Sequence, residues 1–519
     1  METNQPSLPE NRTELKEIVL SQDKEIQRLN EENRLLRQAL FGPKSEKSPA
    51  GPSPQLHLFD MPENPPEEED EEDGEITVPT HTRKKKGRRK LPDDLPRIDV
   101  VHDIDEKEKY CDCGTALSKI GEDVSEKLDI IPAQIRVIRN IRPKYACKSC
   151  EGAFSDDKSV KIAPAPPQII PKGLATAGLL AYVLVGKFCD ALPFYRQEKQ
   201  FSRLGIDIPR QTMCNWAMKA ADGCQPLLSL LHQDVRGGPL INIDETPVQV
   251  LEEPGRTAKQ KSYMWVFKGG TVEKPVILYQ YHPTRSGDVA KLFLKNYQGT
   301  VLTDAYSGYG FLKEWPGILH VYCWAHARRA FMDVKKASSS KKPGAADKAL
   351  SMIRQLYALE KSARMQKMTP DQIFEMRQKQ AAPVLNKFYT WLKKKEEHVT
   401  PKSLLGKAVS YCLNQWTGLQ NYLKDGNAEI DNNSVENAIR PFALGRRNWL
   451  FSGTPEGARA SALLFSLIET AKANGLEPYR YLRFLFEKLP TTSVEDIYNL
   501  LPTNIDEADL VLPELPTGV

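Results

Sequence analysis

The sequence predicts a multidomain α/β chain with a mixed five-stranded sheet, flanking helices and a helical insertion in its second half. Three observations lead to this prediction. The chain has 519 residues, which is enough for several domains. Short β-branched runs alternate with helical patterns from Pro239 onward. The formal net charge is only +4, so overall charge does not indicate a nucleic-acid partner, but charge is segregated into blocks along the chain.

A heptad pattern predicts an N-terminal coiled coil within residues 1–45. Two columns of the heptad contain Leu15, Gln22, Leu29 and Leu36, and Val19, Ile26, Asn33 and Leu40. A single Asn in such a column sets register and strand number at some cost in stability. We therefore expect the helix to pair protomers into a homo-oligomer. The alternative is an amphipathic helix folded onto the body of the same chain.

Residues 46–97 are rich in Pro, Glu and Lys and are predicted to form a disordered acidic and basic linker, because they cannot bury enough apolar surface to fold. An acidic block over residues 67–75 precedes a basic block over residues 83–90. The basic block is expected to contact DNA phosphates through Arg83, Lys84, Lys85, Lys86, Arg88, Arg89 and Lys90. A solubilising segment without a defined partner is the alternative.

Residues 98–165 are predicted to bind Zn²⁺ with two cysteine pairs on turns. The predicted ligands are Cys111, Cys113, Cys147 and Cys150. Two such pairs can supply the tetrahedral sulfur site that zinc prefers, and the segment between them alternates like a β-hairpin. Unliganded core cysteines are the alternative. The first pair is spaced C-x-C, tighter than the usual C-x₂-C.

The cysteine count and the apolar runs bear on the compartment. There are nine cysteines, an odd number, and the N-terminus lacks an apolar signal region. The longest apolar run, residues 173–186, is too short to span a bilayer and predicts a buried helix. We therefore expect a cytoplasmic protein that has no membrane partner and no disulfide bonds.

Residues 166–235 are predicted to be helical and to contain a helix-turn-helix. Gly205 would turn the chain and Pro209 would restart it, which is the spacing of that motif. The second helix would present Arg210, Gln211, Thr212 and Asn215 to DNA. An ordinary helical hairpin is the alternative.

Residues 236–335 are predicted to begin a core in which three strands, a helix, a strand, a helix and a strand follow one another. This is the order of a ribonuclease-H-like fold, in which the first and fourth strands are neighbours. Asp244 and Asp304 would then face each other. Two adjacent carboxylates repel unless a cation joins them, and hard oxygen ligands suit Mg²⁺.

The third carboxylate is predicted in residues 426–486, the last part of the core, after a helical insertion over residues 336–425 and before a tail over residues 487–519. Ser434 is expected to cap a helix with Glu436 in its first turn. Asp431 is the rival third ligand, and an exposed Glu436–Arg440 ion pair is the structural alternative. DNA contacts are expected from Arg440, Arg446 and Arg447, and from Trp449 stacked on an unpaired base.

These segments together resemble one family, the DDE transposases of the insertion-sequence IS66 family. The resemblance spans most of the chain through FGPKSEK, RKKKGRRKLP, GEDVSEKLDIIPA, IDETPVQVL, LTDAYSGY, CWAHARR and IDNNSVENAIRPFALGRRNWLF. It implies that Asp244, Asp304 and Glu436 hold two Mg²⁺ ions. It also implies strand cleavage at transposon ends and joining of the freed 3′-hydroxyls to target DNA.

The resemblance implies further roles. Cys323 and His326 match a C-x₂-H signature of several DDE groups, so His326 is expected to position substrate near the metals, with a satisfied core histidine as the alternative. Arg328 and Arg329 in the same motif are expected to contact DNA. Accessory proteins of the same element are plausible partners. A catalytically inactive DNA-binding repressor, and a nuclease or resolvase that cuts without joining, are the competing functions.

Overall fold

The computed structural model describes residues 12–41, 135–146, 160–338 and 342–511. The chain divides into two compact units, one formed by residues 1–46 with 164–519 and the other by residues 47–163. The basic block over residues 83–90 lies outside the described residues, as do the predicted zinc ligands Cys111, Cys113, Cys147 and Cys150.

The smaller unit contributes one two-stranded ribbon to the described chain. Strand β1 (Lys144–Ala146) pairs antiparallel with β2 (Val160–Ile162). The prediction placed a hairpin between the two cysteine pairs. Where that segment is described, residues 135–143 form no strand, and β1 pairs with a strand beyond the second cysteine pair. Alternating apolar residues did not suffice to make a strand there, because their side chains stay exposed, with Val137 at 89%.

A mixed five-stranded sheet forms the centre of the larger unit, as predicted. Its strands are β3 (Leu240–Gln249), β4 (Lys261–Gly270), β5 (Pro275–His282), β6 (Gly299–Thr303) and β7 (Ile318–Tyr322). The spatial order is β5-β4-β3-β6-β7. The first three strands pair antiparallel, and β6 runs parallel to both β3 and β7. The first and fourth strands of this sheet are therefore neighbours.

Helices flank the sheet, both before it and between its strands. They are α1 (Arg12–Phe41), α2 (Ala177–Phe188), α3 (Phe194–Arg203), α4 (Arg210–Gly223), α5 (Gln225–Gly237), α6 (Asp288–Phe293) and α7 (Trp324–Ala337). The boundary predicted at Pro209 is correct, because Pro209 is the residue that precedes α4. Helix α2 is a buried core helix, as expected from its apolar sequence, and no helix of the described residues is long and apolar enough to cross a membrane.

The helical insertion and the C-terminal part follow β7. They contain α8 (Ala345–Met365), α9 (Pro370–Met376), α10 (Ala382–Glu396), α11 (Leu404–Asn414), α12 (Trp416–Gln420), α13 (Asn433–Trp449), α14 (Pro455–Ala473) and α15 (Pro478–Lys488). A π-helical turn over Arg377–Ala381 joins α9 to α10. The insertion has its own apolar core, in which Trp324 of α7 packs beside Phe388.

The sheet edge at β5 is closed by α14. Thr470 accepts a hydrogen bond from the Ile277 backbone N–H at 3.1 Å, and Ser466 accepts one from Tyr279 at 2.8 Å. These hydroxyls satisfy the outer backbone groups that an edge strand would otherwise expose. Strand β4 is covered on both faces, because all four side chains from Met264 to Phe267 are buried.

Helix α1 lies against the insertion while its heptad columns stay open. Arg34 donates to the Ala337 carbonyl at 3.3 Å, and Glu31 accepts from the Leu404 backbone N–H at 3.3 Å. Val19 and Ile26 remain 59% and 56% exposed. The described residues therefore leave this apolar seam uncovered, and pairing through it stays a prediction.

Candidate functional site

The two predicted aspartates lie on neighbouring parallel strands. The β3–β6 register pairs Leu240 with Thr300 and Asn242 with Leu302. The same register continued by two residues brings Asp244 opposite Asp304, which directly follows β6. The sheet thus places the two carboxylates beside each other, as the strand order predicted.

Helix α13 brings the third predicted acid to this edge. The helix begins at Asn433 after Asn432, and Glu436 lies in its first turn. The expectation that Ser434 caps the helix is wrong. Ser434 already lies within the helix, where its hydroxyl donates to Glu429 at 2.6 Å instead of accepting a backbone N–H. The helix begins one residue before Ser434, because hydrogen bonds from strand β3 hold Asn432 at its start.

Asn432 fixes the start of α13 to strand β3. It is 1% exposed, and its amide donates to the Ile243 carbonyl at 2.9 Å, next to Asp244. Its amide oxygen accepts from Asn242 at 3.1 Å, and Asn242 also donates to Glu429 at 3.2 Å. Asn432, Asn242 and Glu429 together clamp the start of α13 to β3, and their role was not predicted from the sequence. The only local signal is that Asn242 stands two positions before Asp244, on the same face of a strand.

The three acids interact electrostatically at this edge of the sheet. Burial, followed by the charges of Glu245, Asp304 and Glu436, raises the pKa of Asp244 to about 7, although it accepts the Glu245 backbone N–H. Within the described chain, none of the three predicted ligands forms an ion pair with Lys or Arg. The alternative Glu436–Arg440 pair is therefore not formed. Carboxylate oxygens are the donors that a hard divalent cation prefers, so these residue types suit Mg²⁺, but the donor atoms of the three acids do not all lie within 4.8 Å of one another.

The neighbouring carboxylate of Glu245 is compensated, in contrast. Arg285 forms an ion pair with it, and the Tyr309 hydroxyl donates to it. The Arg285 guanidinium also lies 3.8 Å from the centre of the Tyr306 ring, and the Tyr306 N–H donates to Asp304 at 3.0 Å. This network connects the loop after β5 with the end of β6. Neither Glu245 nor Arg285 was predicted from the sequence to belong to this site.

The rival ligand Asp431 has other partners. Its carboxylate accepts the Asn433 backbone N–H at 3.2 Å and a hydrogen bond from Tyr357 in the insertion. Asp431 therefore acts at the helix start, and it is not among the charges that raise the pKa of Asp244.

The C-x₂-H motif meets the third acid. Cys323 precedes α7, and His326 lies in the first turn of that helix. One donor atom each from Cys323, His326 and Glu436 lies within 4.8 Å of the other two. Burial raises the pKa of the Cys323 thiol to about 12. Nδ1 of His326 is buried and has no hydrogen-bond partner among the described residues, which does not match a satisfied core histidine.

The arginines of α13 follow the acids along the helix. Arg446 donates to Thr246 at 3.4 Å, two residues from Asp244, whereas Arg440 and Arg447 are exposed. Trp449 is half-buried, with Lys187 Nζ 5.0 Å from its ring centre, so part of the ring is already covered.

The other predicted DNA contacts are distributed over two elements. On α4, Arg210, Gln211 and Asn215 are exposed and Thr212 is half-buried. On α7, Arg329 is exposed and Arg328 is half-buried. All of these DNA contacts remain predictions.

Comparison with known families matches four segments of the chain. Residues 172–460 match the model described as "Transposase IS66 family", and residues 108–151 match "zinc-finger binding domain of transposase IS66". Residues 28–100 match "Transposase C of IS166 homeodomain", and residues 466–503 match "IS66 C-terminal element".

Similar proteins occur in Sinorhizobium fredii (strain NBRC 101917 / NGR234). The uncharacterized protein y4jD is 35% identical over 429 residues, which cover 80% of this chain and 81% of that protein. The uncharacterized protein y4qI is 32% identical over 399 residues, covering 74% and 71%. The uncharacterized protein y4hP is 30% identical over 448 residues, covering 82% and 78%.

Proposed function

The chain belongs to the IS66 family of transposases, and on that premise we propose that it cuts DNA at insertion-sequence ends and joins those ends to target DNA. One observation carries the proposal. Asp244, Asp304 and Glu436 come from two strands and a helix to one edge of the sheet, where none of them forms an ion pair with Lys or Arg of the described residues. The strand order β5-β4-β3-β6-β7 supports a ribonuclease-H-like core for this chemistry.

The three acids are the residues that would hold two Mg²⁺ ions. Bound there, the ions would polarise the attacking oxygen and stabilise the leaving oxygen of an in-line displacement. In cleavage, a water oxygen bonds to phosphorus and the P–O3′ bond breaks, which frees a 3′-hydroxyl. In joining, that hydroxyl attacks a target phosphodiester and displaces another 3′-oxygen, so neither step needs a covalent protein intermediate.

The chain's own residues position the reaction. Asn432 and Asn242 hold the start of α13 against β3, which keeps Glu436 beside Asp244. Arg446, anchored at Thr246, would contact a phosphate next to the acids, and Arg440 and Arg447 would extend that contact along the strand. His326, at the junction of α7 and α13, would help to position substrate.

DNA-end recognition is assigned to the segments that precede the core. Residues 108–151 match a zinc-finger model, which supports Zn²⁺ held by the two cysteine pairs. The basic block over residues 83–90 and helix α4 would supply phosphate and base contacts. Helix α1 would pair protomers through its open apolar seam, since two transposon ends require two active sites.

A strand-transfer assay tests this proposal against the competing functions. Purified protein is incubated with Mg²⁺, DNA that carries the element's own ends, and a target plasmid. We expect joined products. Cut but unjoined ends would indicate a nuclease or resolvase, and bound but uncut ends would indicate an inactive repressor; either result would overturn the proposal.

A further inference from the structure

A mixed set of sulfur, nitrogen and oxygen donors lies next to the three acids. It consists of Cys323, His326 and Glu436, whose donor atoms all lie within 4.8 Å of one another. The set forms because β7 leads directly into α7, so Cys323 and His326 stand within one turn, and because Asn432 anchors the first turn of α13 beside them. We call these residues the Cys-His-Glu cluster.

The spacing of the Cys-His-Glu cluster suits a soft cation. Ligands bound tetrahedrally to Zn²⁺ at about 2.0–2.3 Å lie about 3.3–3.8 Å from one another. The three donor atoms lie within 4.8 Å of one another, and side-chain shifts of about an ångström would bring them to the spacing of bound ligands. Thiolate and imidazole favour Zn²⁺ over Mg²⁺, which takes oxygen ligands.

Two further observations point to a ligand at this place. His326 Nδ1 is buried without a hydrogen-bond partner in the described part of the chain, and an orphaned buried polar atom is unfavourable unless a ligand satisfies it. Cys323 Sγ accepts backbone N–H groups from Asn432, at 3.1 Å, and from His326. These two donors favour the thiolate, but burial outweighs them and keeps the free thiol protonated, so a bound cation has to displace that proton.

We propose that the Cys-His-Glu cluster binds Zn²⁺, or a cation of similar softness, and that this binding inhibits DNA cleavage. Binding displaces the thiol proton to solvent and leaves a fourth coordination position open to water. Because Glu436 belongs to both donor sets, a soft ion held by Cys323 and His326 withdraws it from the Mg²⁺ set. The inhibitory part rests on the proposed function; the binding part does not.

The first experiment measures metal binding without any activity. Full-length wild-type protein and Cys323→Ser are stripped, reloaded with Zn²⁺ and analysed for bound metal per chain. The serine keeps an oxygen that can accept the Asn432 N–H. We expect Cys323→Ser to lose one equivalent. Cys412→Ser is the matched control, since Cys412 is also buried in the core of the insertion but lies outside the cluster. Equal zinc content in all three proteins would overturn the proposal.

A second variant guards against misfolding of the first. His326→Gln removes a nitrogen ligand while it keeps a polar side chain, and it is also expected to lose one equivalent. In wild-type protein whose cysteine-pair module is already loaded with Zn²⁺, added Co²⁺ should produce a thiolate-to-cobalt absorption band. The absence of that band from the wild type would contradict the site directly.

The inhibitory part is tested by titrating Zn²⁺ into Mg²⁺-dependent cleavage of end DNA. We expect Cys323→Ser to require at least a tenfold higher Zn²⁺ concentration for half-inhibition than the wild type or Cys412→Ser. Identical inhibition curves would reject the competition for Glu436. If the wild type cut no DNA at all, the proposed function would fail, while the metal-content experiment would still decide whether the site exists.

Discussion

Two regions of the molecule differ in how their charged side chains are paired. Arg377 and Glu360 in the insertion form a buried ion pair, whereas Asp244, Asp304 and Glu436 at the β3–β6 edge form none among the described residues. Arg377 is 1% exposed, and its guanidinium forms two hydrogen bonds to Glu360, at 2.9 and 2.7 Å. It also donates to the carbonyls of Tyr422, Asp425 and Ala428. At the other place, Asp244 lies among like charges, and its pKa is raised to about 7 by burial and then by those charges.

The ion pair of Arg377 and Glu360 helps to position Glu436, which has no ion-pair partner among the described residues. The three carbonyls bound by Arg377 lie in the segment that leads into α13 and so to Glu436. Asp425 in the same segment accepts the Thr300 hydroxyl of β6. A fully satisfied ion pair therefore fixes the approach of Glu436, which forms no ion pair of its own among the described residues. Buried polar groups are costly when unsatisfied, so the complete set of hydrogen bonds around Arg377 is consistent with a structural role.

The largest effect is expected at the unbalanced site. Asp244→Asn should lower cleavage of end DNA by roughly a thousandfold or more, because metal stabilisation is worth several kcal/mol and each 1.4 kcal/mol is about tenfold in rate. Without metal at pH 7, the free energy of unfolding should be equal to or higher than in the wild type, because a repulsion is removed. Cleavage rates and urea denaturation measure the two quantities. A mutant that cuts at the wild-type rate would refute the metal assignment.

The matched control for that experiment is Asp431→Asn. Asp431 is the alternative third metal ligand, but its carboxylate accepts hydrogen bonds from the Asn433 N–H and from Tyr357. Its loss should reduce cleavage by less than about tenfold, because only one hydrogen bond at the start of α13 and one to Tyr357 are weakened. A loss as large as that of Asp244→Asn would exchange the roles of Asp431 and Glu436.

The balanced site should respond in stability. Arg377→Met should lower the free energy of unfolding by about 3–5 kcal/mol, because it leaves Glu360 buried and unpaired. Adding Glu360→Gln should recover part of the loss, but the three carbonyls stay without their donor. Denaturant unfolding of both single variants and the double variant measures the coupling. An Arg377→Met protein as stable as the wild type would show that the pair does not support the segment before α13.

A third kind of buried charge sharpens the comparison. Lys187 Nζ lies 4.2 Å from the ring centre of Phe194 and 5.0 Å from that of Trp449, and no carboxylate of the described residues forms an ion pair with it. Burial lowers the pKa of Lys187 to about 8, although Cys214 opposes the shift. The rings offset only part of the desolvation cost.

This difference in pKa predicts a pH dependence. Between pH 8 and 10.5 the unfolded chain keeps a proton on Lys187 that the folded chain has lost, so the free energy of unfolding should rise with pH in that window. Lys187→Met should remove this rise and stabilise the protein at pH 7 by up to about 2 kcal/mol. Thermal unfolding across the pH range tests it; parallel curves for both proteins would contradict the assignment.

The smallest effect concerns the clamp between β3 and α13. Asn432→Ala removes the bonds to Ile243 and Asn242 and should cost about 1–2 kcal/mol in stability, together with part of the cleavage rate. The adjacent, exposed Asn433→Ala is the matched control and should change little. If both variants behaved alike, the clamp would have no special role in placing Glu436.

The strands and the two aspartates were predictable because they depend on local patterns. β-branched runs bounded by Gly and Pro located all five strands of the sheet, and their order implied that β3 and β6 are neighbours. The start of α4 at Arg210 followed from Pro209. The helix predicted between the third and fourth strands is α6, which spans only Asp288–Phe293.

The sequence by itself determined which carboxylates are the candidate metal ligands and which family the chain resembles. Both depend on strand periodicity and motif spacing, which are properties of neighbouring residues. Tertiary structure alone decided how those residues are held. Asn242 meets Asn432 across 190 positions, Arg377 reaches the carbonyls of the segment before α13, and Cys323 and His326 arrive beside Glu436 from another helix. Hydrogen bonds and donor clusters of this kind depend on three-dimensional distance, which no local period in the sequence records.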